Sequence, residues 1–248
     1  MTHKTSGIVL RTVKYGETSV IASIFTLHFG LQSYIINGVR SSHKTGSKAS
    51  LLQPATVLQL EVYHHEHKSM QRIKELNRAA LLHHIFSDVV KNSVALLMME
   101  LLTKTLKQPE ENADLFYFCE DCLLQLDAAP ANIVANFPLF FILHLSHFFG
   151  FKLQDAEPEY LTAPELFLDL QEGMFTITAP THTHFLMQDD ARITATLLQC
   201  MHPRELEAFK LNHQKRRYLL QRYLDYYTLH ISGFGTLKSF KVMQEVLG

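Results

Sequence analysis

Tryptophan is absent from this 248-residue sequence, so its aromatic character rests on seventeen Phe and nine Tyr. Cysteine is scarce: Cys119, Cys122 and Cys200 are too few, and odd in number, for a disulfide scaffold, and they suit a reducing compartment. The longest apolar runs fall far short of the ~20 residues that span a bilayer. Residues 1–6 lead into strand-like sequence without the apolar core of a signal peptide. The expectation is a cytoplasmic protein with no membrane partner. Enzyme signatures are missing as well: there is no Walker-type phosphate loop, no G-x-S-x-G elbow, no dinucleotide fingerprint and no distinctively spaced carboxylate pair. No catalytic residue and no cofactor is therefore assigned.

Aspartate is also absent from residues 1–78, and this points to what is present. That stretch holds ten Lys/Arg against four Glu, a balance of +6. Residues 79–203 carry −11 and residues 204–248 carry +4, so a net charge of −1 conceals three segments of alternating sign. A basic segment joined to an acidic one favours a nucleic-acid binder over an enzyme.

The basic segment alternates apolar and polar residues. Strands are expected over 7–13, 19–27, 31–36, 57–63 and 70–76, with a tight hairpin at His28-Phe29-Gly30 and a flexible, positive loop over 37–50. Five short strands in under eighty residues fit an OB-type barrel. From Arg78 the period becomes helical. Helices are expected over 78–106, 112–126, 132–149, 189–200, 203–231 and 237–246, with Pro109, Gly150 and Gly233 as interruptions. Residues 155–187 read as an irregular insertion with a small hairpin at 167–170 and 174–177. The fold class expected is α+β: an OB barrel over 1–78, then an α-helical domain over 79–248.

Lys14, Arg40, Lys44, Lys48, Lys68, Arg72 and Lys74 are candidates to track a phosphate backbone, because such cations displace condensed counterions without regard to sequence. Tyr15, Tyr34 and Tyr63 are candidate stacking platforms. On the final helix Lys238 and Lys241, three apart, share a face. Lys215, Arg217, Tyr218 and Arg222, with Tyr223 and Tyr226, form a candidate partner-binding helix. Cys119-x-x-Cys122 lacks the second pair that a structural zinc site needs and sits in a helical pattern, so both are read as core. The fifteen histidines cluster at 64/65/67, 83/84, 144/147 and 182/184 without a metalloprotease motif, and no metal site is assigned.

Several motifs taken in series resemble the RecO family of bacterial recombination mediators. They are Gly7-Ile8-Val9-Leu10-Arg11-Thr12, Tyr15-Gly16-Glu17, Phe25-Thr26 with His28-Phe29-Gly30, Asn37-Gly38-Val39-Arg40, Leu52-Gln53-Pro54 and Leu237-Lys238-Ser239. The resemblance implies binding of single- and double-stranded DNA and annealing of complementary strands. It also implies partnership with RecR and with the acidic C-terminal tail of single-strand-binding protein, and indirect action on RecA. Arg11, Arg40 and Lys238 are the basic contacts carried over from it. Many members have a four-cysteine zinc module where this chain has residues 155–187, which contain no cysteine. A metal-free version is expected, held by Leu166, Phe167, Phe175 and Phe185. Two rival readings stay open: a protein-interaction scaffold built on the barrel, and a metal-dependent hydrolase built on the histidines.

Overall fold

Alternating burial produces five strands in the basic segment: β1 (Thr2–Tyr15), β2 (Ser19–Thr26), β3 (Gly30–Ile36), β4 (Val57–Tyr63) and β5 (Gln71–Arg78). They close into a barrel in the order β1-β2-β3-β5-β4, which is OB-like. The computed structural model describes residues 2–39 and 45–247. β1 starts five residues earlier than the sequence suggests, because it serves two partners. Thr2 to Ile8 pair with β4, and Gly7 to Tyr15 pair with β2. A register slip between Val9 and Arg11 bends the strand from one partner to the other. A short parallel contact, Tyr34 to Gln71 and Ile35 to Arg72, joins β3 to β5 and seals the cylinder. Val9, Ile24, Tyr34, Leu58, Leu60 and Val62 fill the interior. Gly30, at φ +59°, turns the β2–β3 hairpin where an added Cβ would lie 2.1 Å from the Glu110 carbonyl oxygen.

The stretch expected as a loop over 37–50 contains a short helix instead, α1 (Thr45–Leu51). Residues 79–88, expected to be helical, form an irregular segment. Its apolar spacing comes from Leu82 and Ile85 docking into the core, while Asp127 receives the backbone N–H groups of His83, His84 and Ile85 at 2.7–3.0 Å. The helix begins only at α2 (Val89–Thr105), where Asp88 accepts from the Val90 and Lys91 amides. α3 (Ala113–Ala128) follows as expected. Secondary structure changes from strand to helix after Arg78, yet contacts group the chain into two compact units, Met1–Ala128 and Ala129–Gly248. In the first unit α2 lies along β1, and the rings of Phe25 and Phe116 are 5.7 Å apart.

In the second unit the single helix expected over 132–149 is broken into α4 (Ala131–Val134), α5 (Phe137–Leu145) and a 3-10 turn (Ser146–Phe149). Asn136 makes the break, turning its amide to the Leu206 and Phe209 carbonyls. After α6 (Pro158–Leu161), the expected hairpin forms as β6 (Phe167–Asp169) and β7 (Met174–Thr176). A third strand that the sequence reading missed, β8 (Phe185–Met187), gives the order β7-β6-β8. Leu166, Phe167 and Phe175 are buried, and Phe185 packs edge-on to Phe167 at 5.6 Å. α7 (Asp189–Gln199) stands as expected. The helix expected over 203–231 divides into a 3-10 turn (Pro203–Ala208) and α8 (His213–His230), because Asn212 caps a fresh start by accepting from Lys215 N–H. α9 (Lys238–Leu247) ends the described chain.

Candidate nucleic-acid interface

Directly paired residues on neighbouring strands point to the same side of a sheet. Following the pairs around the barrel, Val13 meets Ile21, Ile21 meets Ile35, Ile35 meets Arg72 and Arg72 meets Tyr63. These five form one outward row on β1, β2, β3, β5 and β4. Val13, Tyr63 and Arg72 are exposed, and Ile21 and Ile35 are half-buried. One ladder step away on β1, Arg11 and Tyr15 occupy the same side and are exposed. Lys14 projects from the end of the strand. The turn between β4 and β5 brings Lys68 to the row, where Tyr63, His65, Lys68, Met70 and Arg72 line a shallow, open depression. The result is an aliphatic and aromatic strip flanked by guanidinium and ammonium groups.

The structure separates the sequence candidates. Arg11, Lys14, Lys68 and Arg72 stand exposed on this part of the barrel, with Tyr15 and Tyr63 beside them. Lys48 is exposed on α1. Lys74 is tied to Glu61 at 2.8 Å. That hydrogen bond holds the Glu61 carboxyl below the usual range and lifts the Lys74 ammonium, so the positive charge is locally balanced. Tyr34 is no platform, since it lies wholly inside the barrel and burial pushes its phenol up. Arg40 and Lys44 lie outside the described residues. Val13, Ile21 and Ile35 escaped the sequence reading. Strand alternation marks them as outward-facing, but only the register aligns them.

In the second unit the candidate partner helix α8 sorts in the same way. Lys215 pairs with Asp190, and its ammonium lies 5.9 Å from the centre of the exposed Tyr218 ring. Arg222 bonds Asp225 at 3.0 Å and donates to the Thr183 and Phe185 carbonyls, tying α8 to β8. Tyr223 and Tyr226 are buried, bonded to Thr194 and to the Phe151 carbonyl. Arg217 is exposed and lines an apolar groove with Leu139, Leu220, Phe240 and Met243. Arg216 is also in that wall, its guanidinium bonded to the Leu211 carbonyl. Lys238 and Lys241 are exposed on α9, whose opposite face buries Phe240 and Met243.

Cys119 and Cys122 are buried core residues of α3, and burial pushes both thiols up. His182 bonds Asp169 at 3.1 Å, and Asp169 also accepts from the Gln171 and Glu172 amides, so this pair pins the β6–β7 turn. Among the described residues no group of three or more His, Cys, Asp or Glu is placed to hold a metal ion. Nor is any described helix long and apolar enough to cross a membrane.

Residues 1–81 match the family model described as recombination protein O N terminal, and residues 86–157 match recombination protein O C terminal. A DNA repair protein RecO of Azobacteroides pseudotrichonymphae is 30% identical over 246 residues, covering 99% of each chain. The chain belongs to the RecO family. A RecO of Flavobacterium psychrophilum is 31% identical over 98% of each chain, and one of Bacteroides fragilis is 31% identical over 99% of each. The N-terminal model spans the whole barrel, including every residue of the outward row. The C-terminal model ends before the β7-β6-β8 sheet, which lies outside both matches.

Proposed function

We propose that this chain is a DNA recombination mediator of the cytoplasm that binds single- and double-stranded DNA and anneals complementary strands. It carries out no bond chemistry of its own. The observation that carries the reading is the outward row of the barrel, in which Tyr63, Val13, Ile21 and Ile35 alternate with or adjoin Arg11, Lys68 and Arg72. Aromatic groups offer faces to bases of any sequence, and the cations neutralise phosphates. Two strands held on one cationic surface repel each other less and meet at higher local concentration, which accelerates pairing. The barrel over 1–78 is the DNA-binding part in this reading, with Lys14, Lys48 and the α9 pair Lys238 and Lys241 as further phosphate contacts.

The part over 79–248, at a strongly acidic balance through residue 203, is assigned to protein partners. The groove lined by Leu139, Leu220, Phe240, Met243 and Arg217 suits a peptide that ends in an apolar residue preceded by acids. The C-terminal tail of single-strand-binding protein has that chemistry. RecR and, indirectly, RecA complete the proposed set.

The test is binding and annealing of fluorescent complementary oligonucleotides across a salt series, without nucleotide or metal. The seven exposed cations assigned here, Arg11, Lys14, Lys48, Lys68, Arg72, Lys238 and Lys241, predict a log–log salt slope of about −5 for single strands, at ~0.7 per neutralised phosphate. Absence of binding at low salt would transfer the barrel to a protein-scaffold role.

A further inference from the structure

We infer that Gln71 is the positioning residue of the barrel's cationic face: from within the wall, its amide sets the turn that presents Lys68 and Arg72 to nucleic acid. The inference rests on the nucleic-acid reading above and adds to it a residue at the floor of the same depression whose amide is spent on the backbone of the turn. Gln71 is polar yet only 2% exposed. Its Nε2 donates to the carbonyls of His65 and Lys68, each at 2.8 Å, and its Oε1 accepts from His65 N–H at 3.0 Å. The same turn is closed by Lys68 N–H donating to the His65 carbonyl at 3.1 Å. One side chain thus holds both ends of a turn from inside.

The backbone of Gln71 does a second job. It is one of the two β5 residues in the parallel contact with β3 that seals the barrel, opposite Tyr34. The next residue, Arg72, is the guanidinium of the outward row, and Tyr63 faces it across β4. The seam of the cylinder and the turn bearing Lys68 are therefore fixed to each other through Gln71. A turn between two strands otherwise samples many backbone states, whose entropy must be given up on binding. Ordering it beforehand removes that cost from the binding step. The amide is specifically required: a carboxylate here would direct oxygen at two carbonyl oxygens, and a thioether would satisfy none of the three bonds.

The experiment compares full-length Gln71→Met, Lys68→Ala, Arg72→Ala and the Gln71→Met/Lys68→Ala double variant. Oligonucleotide affinity is measured across a salt series, well below each unfolding midpoint. Gln71→Met should weaken binding by about 3–10-fold and flatten the salt slope by about one phosphate, as Lys68→Ala does. The double variant should be no weaker than the weaker single, because a cation that is no longer positioned has little left to lose. Fully additive losses, or an unchanged Gln71→Met beside a weakened Lys68→Ala, would overturn the positioning role and leave the DNA reading intact. If neither Lys68→Ala nor Arg72→Ala had an effect, both would fall. Should Gln71→Met not fold, amide exchange on the unaltered protein decides: His65 N–H should be protected, and exchange at the rate of an open loop would overturn the inference.

Discussion

Asp127 shows how much one carboxylate can organise. Burial works to raise its pKa, but the amides of His83, His84 and Ile85 outweigh that and hold it below the usual range. The neighbouring Lys91 ammonium donates to the Asp127 carbonyl at 2.6 Å, so the 83–85 segment, α2 and α3 meet at one residue. Asp127→Ala leaves three amides unpaired and should cost about 2–4 kcal/mol in urea unfolding. His144 gives a pH-dependent case. Burial first, then repulsion from His147, lowers its pKa from 6.5 to about 4, so the native state binds fewer protons than the unfolded chain between those values. Stability should fall as pH drops through that window, and His144→Leu should flatten the decline in melting temperature between pH 7 and pH 5. Residue-scale function was only partly legible in the sequence. Lys74, Lys215 and Arg222 count as cations in any tally, but Glu61, Asp190 and Asp225 engage them in the fold. Charge can be counted along a chain; whether a charge is already matched depends on what folding brings beside it.

At the scale of elements, alternation located all five barrel strands and the β6–β7 hairpin, because a half-buried strand writes its period directly into the sequence. Helical periodicity misled where apolar residues dock from irregular backbone, as at Leu82 and Ile85. It also ran through breaks made by distant acceptors, as at Asn136. β8 was missed because no short turn links it to its partner β6, unlike β7, so only the fold brings Phe185–Met187 beside Phe167–Asp169. Gly30 supplies the sharpest element-level prediction. A side chain there suffers both the left-handed backbone and collision with the Glu110 main chain, so Gly30→Ala should destabilise by more than the ~1 kcal/mol of an ordinary glycine replacement, measured by chemical denaturation.

For the whole molecule, segment charge anticipated the division of labour proposed here, a basic barrel and an acidic body, but not the residues that carry it. The two arginines of α8 now predict different outcomes. Arg217→Glu should weaken binding of an acidic peptide ending in an apolar residue by several-fold with little change in melting temperature. Arg222→Glu should lower the melting temperature instead, since it breaks the tie to β8. Isothermal titration with such a peptide, beside thermal melts, separates the two.

β1 has a consequence in time. Thr2 pairs with Tyr63, and the seam is sealed only through Gln71 and Arg72 on β5. The amino-terminal half of β1 therefore waits for β4, and the cylinder closes only once β5, the last of the five barrel strands, has emerged. At ~5–20 residues per second that interval lasts several seconds, with an apolar ribbon exposed throughout. A barrel whose first strand serves two neighbours closes late, and translation pauses between the codons of β1 and β5 should be felt as aggregation.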